Sequence, residues 1–246
     1  MNAPAKRVGV IVPSLNTIVE DDLRIFLPRD VAYHIMRVRL RKTNGVVTHE
    51  ALLQAAEEAP ESAGFLADAL VDAIAFNCTG ACVEGGQGSN ERIVERIGAV
   101  TGIPATTTIL ALFQALRALR VKRLVHVCPF TASFGSDEAG FLRAAGFDVV
   151  ETVAMNHVDA RAVAKLDPQV FVDGAIAHDR PDADAVFLAC ANARTFEAIE
   201  AAEARLGKPV ITSNQVVIWA LLGMLGIPMQ SVRGGGLLFN RLEAAA

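Results

Sequence analysis

Two cysteines stand where an apolar run gives way to small and polar residues: Cys78 in AIAFNCTGAC and Cys190 in AVFLACANAR, 112 residues apart. A thiol at the end of a strand, just ahead of a helix N-terminus, gains thiolate character from the backbone amide dipoles. Two such thiols facing each other could work on opposite sides of one carbon. One would take a proton or add to the substrate, and the other would return a proton. A single free cysteine is usually buried filler, but a matched pair at equivalent strand ends points to chemistry. Cys82 and Cys128 complete the set. Cys78 and Cys82 form a Cys-x-x-x-Cys pair, but structural zinc needs further ligands at suitable spacing. The five histidines show no clustering that would supply them. No metal is therefore expected, and Cys128, beside His126, reads as core or site lining.

The elements that must hold these thiols are legible from periodicity. Short apolar runs at residues 8–13, 31–40, 72–77, 104–107, 123–128, 148–153, 185–189 and 210–212 read as strands. Helical patterns fall at 48–70, 110–119, 136–145, 168–178 and 195–206. This alternation predicts an α/β fold with parallel sheets and helices on both faces. The second half echoes the first. Pro13 and Pro129 follow the first strand of each half, and Gly102-Ile103-Pro104 leads to Thr107-Thr108 as Gly207-Lys208-Pro209 leads to Thr212-Ser213. The expectation is two similar Rossmann-like lobes related by a pseudo-two-fold axis, with the active site in the cleft between them. Residues 1–118 would form the first lobe, with 219–246 packing back on it, and 119–218 the second.

In open parallel sheets, ligands bind beyond the carboxyl ends of the strands. The four segments there supply the candidate binding residues: Ser14 and Asn16; Thr79, Gly80 and Ala81; Phe130, Thr131 and Ser133; and Ala191 and Asn192. Their hydroxyls and backbone N–H groups suit an anion, most simply a carboxylate. Gly85-Gly86-Gln87-Gly88 lacks the Gly-Lys-Ser/Thr of a phosphate loop and reads as a lid or turn, and the dinucleotide fingerprint is absent. No cofactor is expected.

Composition narrows the partners. Net charge is −4, and the one basic cluster, Arg37, Arg39, Arg41 and Lys42, reads as a solvated strand edge rather than a nucleic-acid surface. No apolar run approaches the roughly 20 residues of a membrane span, and the N-terminal segment lacks a signal peptide's apolar stretch. With four cysteines and no disulfide pattern, the chain reads as cytoplasmic. A mean hydropathy of +0.36 suggests a homo-oligomer.

VGVIVPSLNTIVEDD, FNCTGAC and LACANARTFEAIEAAEARLGKPVITSNQ, with the following Trp219-Ala220, resemble the aspartate/glutamate racemase superfamily. The likeness is greatest to its maleate isomerase branch, beside arylmalonate decarboxylase and hydantoin racemase, and it runs over nearly the whole chain. It implies a cofactor-independent, two-cysteine isomerase or racemase acting on a small carboxylate. Cys78 takes the role of the first cysteine and Cys190 the second. Asn16 takes the place of the Asn that contacts the substrate carboxylate, and the amides around Thr79–Ala81 and Ala191–Asn192 would cradle carboxylates. Two positions depart from the maleate isomerase pattern: Phe130 stands where a Tyr is expected, and Ala160 where an Asn is expected. Both replace a polar substrate contact by apolar surface, so maleate is expected to be a poor substrate. The alternatives are an arylmalonate-type decarboxylase using Cys190 as proton donor, against which the presence of Cys78 speaks, and a non-catalytic carboxylate-binding module, which would need no thiol.

Overall fold

The computed structural model describes residues 6–43 and 46–241, so the last five residues of the 219–246 segment lie outside the described residues. The first four strands, β1 (Lys6–Pro13), β2 (Val31–Val38), β3 (Ala73–Phe76) and β4 (Ala105–Thr107), form a parallel sheet in the order β2-β1-β3-β4. The next four, β5 (Arg123–Cys128), β6 (Asp148–Ala154), β7 (Ala185–Leu188) and β8 (Val210–Thr212), form a second parallel sheet in the order β6-β5-β7-β8. The two orders are the same once the second set is counted from its own first strand. The central strands β3 and β7 are buried along their whole length, which is why they read as continuous apolar runs.

The helices follow from the residues between these strands. Helix His49–Asp68 starts at Thr48, whose hydroxyl accepts from the Ala51 amide. It lies so close to β1 that a Cβ on Gly9 would come within 2.9 Å of Leu66 Cδ1. β4 and β8 each end in a threonine that caps the helix after it. Thr107 accepts from the Leu110 amide and Thr212 from the Gln215 amide, the latter as a full capping box. The two capped helices, Thr108–Ala118 and Ser213–Met224, pack on each other at the centre of the molecule. Helix Ser213–Met224 is buried over Ser213 to Leu222 and reaches the first sheet as well, in keeping with its apolar character all round.

Several features differ from the sequence reading. Helices Val19–Phe26 and Ser89–Thr101 fall outside the helical patterns read from periodicity, while Thr79–Glu84 is the helix expected after Cys78. As expected, the Gly85–Gly88 stretch is a turn, joining Thr79–Glu84 to Ser89–Thr101, with Gly88 at φ 76° as the N-cap. The helix expected at 136–145 begins four residues earlier, spanning Ala132–Ala144. Finally, Cys78 is followed by a helix, but Cys190 is not: the chain passes through a turn to a 3₁₀ segment, Phe196–Ala198, before helix Ile199–Leu206. The basic cluster lies where expected, on and after the edge strand β2. Lys42 continues into a short hairpin, Lys42–Thr43 paired with Val46–Val47. Among the described residues no helix is long and apolar enough to cross a membrane.

Candidate active site

Cys78 and Cys190 each lie two residues beyond the end of their strand, β3 and β7. The residue between is tied in the same way in both lobes: Asn77 N–H donates to Ile11 O on β1, and Ala189 N–H to Val127 O on β5. The strand ends therefore aim both thiols into one cavity of about 110 Å³, room for a small organic acid, and both line it.

The thiols sit in different backbones. Cys78 is the N-cap of helix Thr79–Glu84 in extended conformation, and the nearby Ala81 amide favours its thiolate. Cys190 has φ 95°, a region that side-chain-bearing residues rarely occupy. Its sulfur accepts from the Asn192 amide at 3.4 Å. Burial overrides those amides, contrary to the expected thiolate character. Loss of solvent pushes the Cys78 thiol well above the ordinary thiol range, and the Cys190 thiol up to about 12. Each thiol is thus neutral until a base or a bound substrate changes its surroundings.

Buried asparagines knit the two cysteine loops together. Asn16 Oδ1 accepts from the Ile18 and Val19 amides, and its Nδ2 donates to Ala191 O at 2.9 Å. Asn192 answers from the other lobe: its Oδ1 accepts from the Thr17 amide at 2.9 Å, while its Nδ2 donates to Ala160 O at 2.8 Å. Asn214 bridges the residue before Cys78 and the residue after Cys190. It accepts from Asn77 Nδ2 at 2.9 Å and donates to Ala191 O at 3.1 Å and to Asp22 Oδ2 at 2.6 Å. Thr108 closes the chain by donating to Asn77 Oδ1. Asp22 is 2 % exposed, and desolvation raises its carboxyl to about 7 despite the Asn214 bond that lowers it.

Of the candidate binding residues, the fold brings Asn16, Thr79, Gly80, Phe130, Thr131, Ala191 and Asn192 to the cavity wall, and Ala160 with them. Three do not line it. The Ser14 hydroxyl accepts from the Leu40 amide and fastens the loop after β1 to the chain after β2. Ser133 is exposed on the first turn of helix Ala132–Ala144, where the helical period turns it away. Ala81 is buried, and its amide acts to lower the Cys78 thiol. Asn16 also differs from expectation in that one amide hydrogen alone is left for a ligand, its other groups being engaged. Thr131, the N-cap of helix Ala132–Ala144, leaves its hydroxyl free of the capping role.

The sequence reading missed much of the wall. Leu15, Leu40, Val46, Val47, Leu52, Phe134 and Val158 make it predominantly apolar, and Asn77, Glu138 and His157 add polar groups. Phe134 and Glu138 could have been found, since they fall three and seven residues after Thr131, on one helical face. The hairpin valines are held over the cavity by Lys42, whose Nζ is 3.2 Å from Asp159 Oδ1 in the second lobe. The Arg161 amide, the Arg161 side chain and Lys42 hold the Asp159 carboxyl well below the usual range. No lining residue among those described is Lys or Arg, so a bound anion must be met by backbone amides and amide side chains. His49, Glu84 and Asp137 bring potential metal-ligating atoms within 4.8 Å of one another, but none of the three lines the cavity.

A fold of two like lobes with a thiol from each in one cleft defines a class of small cofactor-independent enzymes, and the comparisons with known proteins agree. The profile of the arylmalonate decarboxylase family matches residues 8–239, so the chain belongs to that family. Its relatives over nearly the full length include maleate isomerases. One from Pseudomonas putida is 29 % identical over 95 % of this chain and 97 % of its own length. One from Geobacillus stearothermophilus is 27 % identical over 96 % and 98 %. The solved structure of a maleate isomerase from Pseudomonas putida S16, a cysteine-to-alanine variant with maleate, is 31 % identical, covers 98 % of each chain and superposes with a TM-score of 0.87.

Proposed function

We propose that the protein is a cofactor-independent isomerase or racemase that transforms a small carboxylate between Cys78 and Cys190. The observation that carries this reading is the arrival of both thiols, from matching strand ends of two like lobes, in one small cavity. The isomerase class is supported by full-length likeness to maleate isomerases.

The substrate carboxylate is met by the amides of Thr79 and Gly80, in the first turn of a helix where no intrahelical acceptor exists, and by those of Ala191 and Asn192. Cys78 acts as the thiolate once its proton has passed to solvent. In cis-trans isomerisation its sulfur adds to one alkene carbon, and the π electrons move to the neighbouring carbon and its carboxylate. The bond between the carbons, now single, rotates; expulsion of the sulfur restores the double bond and the thiolate. In racemisation the thiolate removes the proton on the α-carbon, and Cys190 delivers its own proton to the opposite face. In racemisation Cys190 is the proton donor, held by the Asn16–Ala191 and Asn192–Thr17 ties. Phe130 and Ala160 give the far side of the site an apolar surface, which favours a monocarboxylate or an acid with an apolar or amide-bearing second end. Four buried free thiols suit the reducing cytoplasm, and we place the enzyme there as a homo-oligomer.

The test is a substrate panel of maleate, aspartate, glutamate, hydantoins and substituted malonates, followed by proton NMR in deuterated water after exhaustive chelation. Isomerisation or deuterium exchange without added cofactor is expected. Carbon dioxide release from malonates as the sole activity would favour the decarboxylase reading instead.

A further inference from the structure

Glu138 is the one carboxylate on the cavity wall among the described residues. It projects from helix Ala132–Ala144 and is 5 % exposed. Its Oε2 lies 3.0 Å from Nε2 of His126, a fully buried residue on β5 whose ring stacks on Phe187. Cys128, the last residue of β5, is buried nearby, and the Glu138 charge raises its thiol. His126 Nδ1 is buried without a partner. A neutral imidazole giving its single N–H to Glu138 leaves only a lone pair unpaired there, whereas an imidazolium would bury an unpaired N–H. Glu138 is thereby held as an acceptor by His126, as a buried carboxylate requires. The cavity offers it no cation, since no Lys or Arg lines the wall. Glu138 shares the cavity wall with Cys78 and Cys190.

A ligand with a single carboxylate can place it on the backbone amides. A second carboxylate must share a poorly solvated space with Glu138, and like charges in such surroundings repel strongly. A hydrogen-bond donor in the same place would instead find an acceptor already fixed in position. We propose that Glu138 is a specificity-determining residue, which rejects a second carboxylate on the substrate and selects an amide, hydroxyl or ammonium group at that end. This rests on the reading of the cavity as a carboxylate site and names the substrate class more closely: monocarboxylates whose other end donates a hydrogen bond.

The experiment compares maleate with its monoamide, maleamate, by isothermal titration calorimetry in the full-length Cys78→Ser variant, where no turnover interferes. Maleamate is expected to bind at least tenfold more tightly than maleate at neutral pH. Adding Glu138→Gln, which keeps the shape and a group for His126, should bring the ratio below threefold, chiefly by tightening maleate. The ratio with Glu138 in place is informative even if the glutamine variant folds poorly. A ratio near one with Glu138 present, or a ratio unmoved by Glu138→Gln while the melting temperature falls, would overturn the proposal and leave the carboxylate site standing. Failure of both ligands to bind would overturn the proposal together with that site.

Discussion

The strand ends that carry Cys78 and Cys190 occupy the same place in two sheets of the same order, yet they hold their thiols by different means. At Cys78 the chain runs straight from an extended residue into a helix, so the sulfur stands at the helix N-terminus. At Cys190 the backbone is at φ 95°, no helix follows at once, and the loop is fixed from outside by Asn16 and Asn214. Non-glycine residues in this region cost on the order of 1–3 kcal/mol and persist where neighbours over-determine them. The comparison teaches that the duplicated fold sets where the thiols are, while the loops set what each can do. Cys78 has amides placed to receive negative charge, as a nucleophile needs; Cys190 has a rigid mount, as a directed proton donor needs.

The largest effect should come from the thiols themselves. Cys78→Ser and Cys190→Ser are each expected to lower turnover by about 10²–10⁴ or more, measured by steady-state kinetics on the best substrate of the panel. Cys82→Ser, whose sulfur is fully buried beneath the site, should stay within about threefold of the parent. Next are the ties that hold the Cys190 loop. Asn16→Ala removes the bond to Ala191 O and the acceptor for two amides, so kcat should fall while the fold persists, with stability lowered by about 1–3 kcal/mol. A urea titration beside the kinetics separates the two effects.

The difference in backbone can be read directly from stability. Cys190→Gly relieves the strain at φ 95° while losing a small side chain, and should leave stability within about 1 kcal/mol of the parent. Cys78→Gly loses the same side chain, gains no relief and adds chain entropy to the unfolded state, so it should cost about 1–3 kcal/mol more. Equal losses in the two variants would show that the Cys190 conformation carries no strain. A smaller effect concerns Asp22, which anchors Asn214. Its carboxyl is raised from 3.8 to about 7, so the folded state holds a proton that the unfolded chain has released across that interval. Stability should therefore fall as pH rises from about 4 to about 7, by on the order of a few kcal/mol. Asp22→Asn keeps an acceptor for Asn214 and should flatten that slope in thermal melts taken across the range.

What could be read in the sequence follows from which forces act locally. The eight strands were placed to within about two residues because β1, β3, β5 and β7 are buried on both faces and bounded by turn residues. Helix Thr79–Glu84 is too short to show a period, Val19–Phe26 is dominated by charges, and Ser89–Thr101 hides behind its glycine-rich turn. In the site, the strand-end rule found the cysteines, Asn16, Thr131 and Asn192. It could not say that Asn16 and Asn192 are bonded across the cleft, because those partners are 175 residues away. Nor could it place Ser133 outside and Glu138 inside, a distinction made by the rotation of one helix.

The pairing of the two thiols is tested most directly by a double-mutant cycle on turnover with Cys78→Ser, Cys190→Ser and the variant carrying both. Groups acting on one carbon as a unit lose their function together, so the double variant should be no slower than the slower single one, within about threefold. Losses that multiply, or turnover near the parent level in the double variant, would contradict a shared two-thiol site.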